Sequence, residues 1–88
     1  MPTLCMFLGI LIKMNWKDTG RHHLPHFHAY YGEYEAVFGL DGQLLSGSFP
    51  KRQKVFVEAW ALMHEDELVA NWRLAVNGEE TFRIDPLK

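Results

Sequence analysis

Every second residue from Leu4 to Trp16 is apolar: Leu4, Met6, Leu8, Ile10, Ile12, Met14 and Trp16. Alternation of that length puts an apolar face on an extended chain and argues against a helix, whose apolar positions recur at three and four. The other parity, Cys5, Phe7, Gly9, Leu11, Lys13 and Asn15, is apolar early and polar late. The segment is therefore read as one strand, buried on both faces at its start and on one face at its end. Lys17 to Pro25 reads as a loop. A second strand is expected from His26 to Phe38, where Tyr30, Tyr31, Tyr34, Val37 and Phe38 favour extended structure. Leu40-Asp41-Gly42-Gln43 carries the Asp-Gly signal of a hairpin turn, with a short return strand from Leu44 to Ser46 closed by Gly47.

At Pro50 the period changes. Proline suits a first helical turn, Ser48 is close enough to cap it, and Val55, Phe56, Ala59, Trp60 and Met63 follow at helical spacing. With Val55 at zero and about 100° per residue, these span roughly 0–140° of the helix, which predicts its buried stripe. Leu68, Val69, Trp72, Ala75 and Val76 fall at roughly 200–320° on the same wheel. Either the helix breaks at His64-Glu65-Asp66-Glu67, or one long helix buries different faces along its length. Asn77-Gly78 predicts the helix stop. Thr81 to Pro86 reads as a last short edge strand. The expectation is an α+β, two-layer domain spanning residues 1–88. Its three or four mainly antiparallel strands pack against a C-terminal helix that is long and kinked, or divided in two.

With 88 residues, 48% of them apolar and 14% aromatic, the chain can bury a core but has no room for two domains. Nine basic against 11 acidic residues give a net charge of -2, which disfavours nucleic acid as the partner. Cys5 is the lone cysteine, so a reducing cytoplasm is expected. The apolar run near the N-terminus stops at Lys13, short of the roughly 20 residues that a membrane helix needs, so no membrane association is expected.

Four of the five histidines lie between positions 22 and 28. On a strand, His26 and His28 share a face about 6.6 Å apart, so their imidazoles can converge on one divalent ion. His22 or His23, stiffened by Pro25, or Asp18 would supply a third donor. Zn, Mn and Fe are all compatible with that set. The same histidines suit a polar ligand or proton-transfer role, or a structural one bonding backbone carbonyls. Glu33 and Glu35 have the opposite parity on a regular strand. They are solvent-exposed acids unless a bulge at Gly32 turns one towards the histidines as a base. Lys51, Arg52 and Lys54 crowd the first helical turn, where the macrodipole disfavours cations. They are either anion contacts or a solvated helix end. His64-Glu65 lacks the second histidine of a zinc-protease helix, since position 68 is leucine.

Pro25-His26-Phe27-His28-Ala29, Tyr31-Gly32-Glu33-Tyr34-Glu35-Ala36, the Pro-Lys-Arg helix start, Trp60 and Asn71-Trp72 together carry a resemblance. The Met-Pro-Thr start and the Gly-Ile-Leu-Ile-Lys-Met strand belong to it as well. The chain resembles the DUF4160 family of small bacterial proteins, departing at Leu24, where a second proline is usual, and in a longer loop from Asp18 to Pro25. The resemblance implies a cytosolic prokaryotic protein encoded beside another small protein, an arrangement like a toxin–antitoxin or regulatory pair. It implies no reaction.

Two functions follow. The first is an interaction or regulatory module that binds the neighbouring small protein, or a second copy of itself, with Trp60 or Trp72 as anchors. The second is a metal-dependent hydrolase of the nuclease-toxin type. His26 and His28 would hold the ion, Glu33 or Glu35 would act as base, and Lys51, Arg52 and Lys54 would steer the anionic substrate. The first is the expectation adopted.

Overall fold

The computed structural model describes residues 3–15 and 24–87. They form strands β1 (Thr3–Phe7), β2 (Ile10–Lys13), β3 (His26–Tyr31), β4 (Tyr34–Gly39) and β5 (Leu44–Gly47), followed by helices α1 (Lys51–Met63) and α2 (Glu65–Val76). The strands make one antiparallel sheet in the order β1-β2-β3-β4-β5. The α+β class is as expected, with five described strands in place of three or four.

Both extra strands come from two-residue turns inside segments that the sequence presents as single strands. Leu8 and Gly9 lie at φ 50° and 79° between β1 and β2. Positive φ at both central positions is the type I′ pattern, whose twist matches that of the flanking strands. Cys5 pairs with Ile12 and Phe7 with Ile10, so odd positions before the turn share a face with even positions after it. Both parities of β1 are apolar, so the switch leaves no trace in the pattern. Met6 and Leu8, two members of the alternation, are exposed. Trp16, its last member, lies outside the described residues.

A leucine in the left-handed region costs roughly 1–2 kcal/mol, and asparagine tolerates it better. Leu8→Asn would place Asn-Gly in a type I′ turn and remove an exposed apolar side chain. It is expected to raise stability by about 0.5–1 kcal/mol, or roughly 2–8 °C in Tm for a domain of this size, measured by thermal circular dichroism.

The second turn is Gly32-Glu33, with Gly32 at φ 55°. The bulge considered at Gly32 is instead a hairpin turn, and β4 runs back beside β3 with Tyr30 opposite Glu35, His28 opposite Val37 and His26 opposite Gly39. The Asp-Gly turn is present as expected. Gly39 N–H donates to Gln43 O (2.8 Å), and Gln43 N–H donates to Asp41 Oδ1 (3.0 Å).

One sheet face carries Cys5, Phe7, Ile10, Ile12, Phe27, Ala29, Ala36 and Phe38, all buried in the core with Val57, Trp60 and Ala61 of α1 and Leu68 of α2. At the start of α1, Pro50 itself is the cap and its carbonyl accepts the Lys54 N–H (2.9 Å); no side chain caps this end, so Ser48 does not. The buried stripe of α1 also differs from the expected one. Val57, Trp60 and Ala61 face the sheet, while Val55 and Met63 face away from it.

His64 divides the helices. Its backbone (φ -123°, ψ 24°) leaves the helical region, its carbonyl accepts the Leu68 N–H (2.9 Å), and its Nδ1 meets Glu67 Oε1 at 2.6 Å. Glu65, Asp66 and Glu67 then occupy the first turn of α2, where acids suit the helix dipole. Of the two arrangements left open, the break is therefore the one adopted. α2 buries Leu68, Asn71 and Ala75. It ends in a Schellman motif, with Glu79 N–H on Leu74 O (2.8 Å), Gly78 N–H on Ala75 O (3.1 Å) and Gly78 at φ 73°.

The expected last strand is an irregular strap. Ile84 N–H donates to Leu4 O (2.9 Å), the Trp60 indole N–H donates to Asp85 O (2.8 Å), and the Asn71 side chain bonds both backbone groups of Phe82. The strap occupies the free edge of β1, an edge that would otherwise offer open backbone groups.

Candidate functional site

Alternation along β3 places His26, His28 and Tyr30 on the sheet face opposite Phe27 and Ala29, and pairing adds Lys13, Glu35 and Val37. His26 and His28 are nonetheless buried, with ring centroids 5.4 Å apart. His26 packs on Trp72 of α2 (5.2 Å), and His28 stacks on Tyr30 (6.4 Å, interplanar angle 13°). The Lys13 ammonium lies over the Tyr30 ring at 5.9 Å. The result is a continuous column, Trp72–His26–His28–Tyr30–Lys13, built by the two-residue repeat of one strand.

His26 Nδ1 lies 2.8 Å from Leu24 O. A carbonyl only accepts, so Nδ1 carries the proton, and in the neutral ring Nε2 holds the lone pair. That is the tautomer a metal-binding Nε2 requires. The side chains of His26 and His28 thus share one face of β3, as the spacing predicts. The other named donors, His22, His23 and Asp18, lie outside the described residues. Among the described residues, no three His, Cys, Asp or Glu side chains are grouped to hold a metal.

Glu35 reaches the histidine face by the hairpin rather than by a bulge, but it stands opposite Tyr30 and is exposed. Glu33 sits exposed in the turn itself. Cys5 is buried, and burial pushes its thiol above the ordinary value, against a smaller opposing effect of the Met6 backbone hydrogen bond. A thiol so placed is a poor nucleophile.

Lys51 and Arg52 are exposed at the start of α1, and Lys54 pairs with Glu58 at 3.6 Å. Beside Lys54 and Glu58 an open groove of about 480 Å³ runs between α1 and the Asp41–Leu44 segment, with Leu62 on its rim. Asp41 and Glu58 in that lining oppose an anion, so the three cations do not make a phosphate pocket there.

Trp60 is enclosed in the core, 0% exposed, between Phe7 (5.6 Å) and Phe27 (5.7 Å), and presents no anchor to a partner. Trp72 is half-buried under His26. The outer face of α1 carries exposed apolar side chains. Val55, Leu62 and Met63 are 54%, 63% and 66% exposed, with Ala59 between them. Leu62 is a residue that sequence reasoning missed. Its signal is the spacing Val55, Ala59, Leu62, at i, i+4 and i+7, the mark of one helix face.

A five-stranded antiparallel meander, backed on one side by a broken helix with an apolar outer ridge, defines a small α+β domain. No helix of the described residues is long and apolar enough to cross a membrane. The chain belongs to the DUF4160 family, a domain of unknown function, whose model matches residues 9–73. That span runs from the β1–β2 turn through most of α2. It includes the histidine column and the α1 ridge and stops short of the C-terminal strap. No curated protein and no solved structure matches the chain.

Proposed function

We propose that this protein is a cytoplasmic interaction module that binds a small partner protein through the outer face of α1, as one member of a toxin–antitoxin-like or regulatory pair. The observation that carries this reading is the exposure of Val55, Leu62 and Met63 on one side of a helix whose other side is already buried. A helix apolar on both sides is expected where both sides are covered, and fully burying one such side chain is worth roughly 1.5–3 kcal/mol.

Leu62→Glu tests it. The side chain touches solvent, so stability is expected to change by no more than about 0.5 kcal/mol. Binding to the product of the adjacent small gene, measured by isothermal titration calorimetry, is expected to weaken at least about tenfold, the loss of roughly 1.4 kcal/mol or more. A folded variant that binds as the parent does removes the reading.

A further inference from the structure

We infer that, when the partner protein is absent, this outer face is occupied by a second copy of the same chain, with α1 packed antiparallel on α1 about a two-fold axis at Ala59, so that partner and second copy compete for it. This rests on the reading of that face as an interaction surface.

The charge order along the helix favours it. Exposed Lys51 and Arg52 stand at the start of α1, and exposed Glu65 and Asp66 stand immediately beyond its end. Antiparallel pairing therefore sets the basic start of α1 in each copy beside the acidic first turn of α2 in the other. Parallel pairing would set like charge on like. Val55 and Met63 are each four positions from Ala59 and meet across the same axis. A face complementary to itself in both charge and apolar content is what a two-fold interface requires, and two-fold dimers are the commonest assemblies.

Size sets the strength. At 1.5 Å per residue α1 is about 20 Å long, so helix against helix covers less than the roughly 800 Å² per partner of a standard interface. The groove between Leu62 and the Asp41–Leu44 segment lies beside this face and can enlarge the contact through the polar groups of Asp41, Gln43, Lys54 and Glu58. The dimer therefore belongs to the weak class, with Kd on the order of 10–100 μM.

Ala59 offers a direct test. Helices packed 8–10 Å apart with a Cα radius of about 2.3 Å bring the two Ala59 Cα atoms to roughly 3.4–5.4 Å, the upper part of which is within disulfide reach. Ala59→Cys is expected to form a covalent dimer under mild oxidation, while Glu33→Cys, exposed in the distant β3–β4 turn, is not. Buried Cys5 supplies little background. In light scattering across about 10–500 μM, the parent chain is expected to pass from monomer to dimer. Arg52→Glu is expected to raise Kd about tenfold, and the double variant Arg52→Glu/Asp66→Arg to return it to within about threefold of the parent, as a direct charge pair requires. A parent chain that stays monomeric at 500 μM, Ala59→Cys that cross-links no faster than Glu33→Cys, or absence of charge-swap recovery would each overturn the dimer. If the chain is monomeric and Leu62→Glu still loses the neighbouring protein, the dimer fails and the proposed function stands. If Leu62→Glu also binds normally, both fail.

Discussion

Replacing Asn71 by alanine is expected to lower stability by about 2–3 kcal/mol, and Tm by roughly 10–20 °C. Asn71 is fully buried on α2, and its amide works in both directions: Nδ2–H donates to Phe82 O (3.1 Å) and Oδ1 accepts the Phe82 N–H (2.8 Å). At Phe82 a side chain thus does the work that a neighbouring strand would do. Truncation leaves two backbone groups without their partner and a cavity beside Leu68 and Ala75. Asn71→Asp separates the two bonds. It keeps the acceptor for Phe82 N–H but sets a carboxylate oxygen against the Phe82 carbonyl in a buried place, and is expected to cost at least as much as alanine. Thermal unfolding gives the size of the loss. Hydrogen exchange gives its location, with faster exchange at the Phe82 and Ile84 amides before any change in β3. Unchanged exchange there would mean that Asn71 does not hold the strap.

The order of elements, strands first and helix after Pro50, was legible because the hydrophobic period changes from two to 3.6 there. The Asp41-Gly42 turn, the break at His64 and the stop at Asn77-Gly78 carry local chemistry that tertiary contacts do not override. His26 and His28 share a face for the same reason that any residues two apart on a strand do. The two missed turns have a common cause: Leu8-Gly9 puts leucine where type I′ favours asparagine, and Gly32-Glu33 lies between residues that are themselves strand formers. Once both hairpins are formed, Glu35 changes sides without any bulge. The α1 face was read wrongly because the helix is apolar almost all round, so a wheel offers two stripes and cannot choose between them. The choice is made by the sheet, where Trp60 packs against Phe7 and Phe27 and Val55 is left exposed on the other side of the helix. Asn71 was missed as a structural residue because a polar side chain between Leu68 and Ala75 looks like the edge of a buried arc, and its partner, the Phe82 backbone, has no signature in sequence.

Trp60→Ala is expected to have the largest effect of any single truncation described for this chain. Trp60 is wholly enclosed. It lies tilted against Phe7, edge-on to Phe27 with an interplanar angle of 84°, and 5.8 Å from the His64 ring, and its indole N–H is donated to Asp85 O (2.8 Å). Removing a buried aromatic side chain costs about 3–5 kcal/mol in packing alone, before the lost hydrogen bond is counted. At roughly 0.05–0.15 kcal/mol per residue, 88 residues support a total stability of about 4–13 kcal/mol. The loss is therefore comparable with the lower end of the whole. The variant is expected to lose its near-ultraviolet circular dichroism and its cooperative melt, because one ring joins the sheet, α1, the helix break and the strap. Trp60→Phe keeps most of the packing and removes the donor, so it is expected to fold and melt cooperatively at lower temperature, with the loss again reported by faster exchange in the strap. If Trp60→Ala melted within a few degrees of the parent, the core would be centred elsewhere, and the strap would owe its place to Asn71 and the Ile84–Leu4 bond.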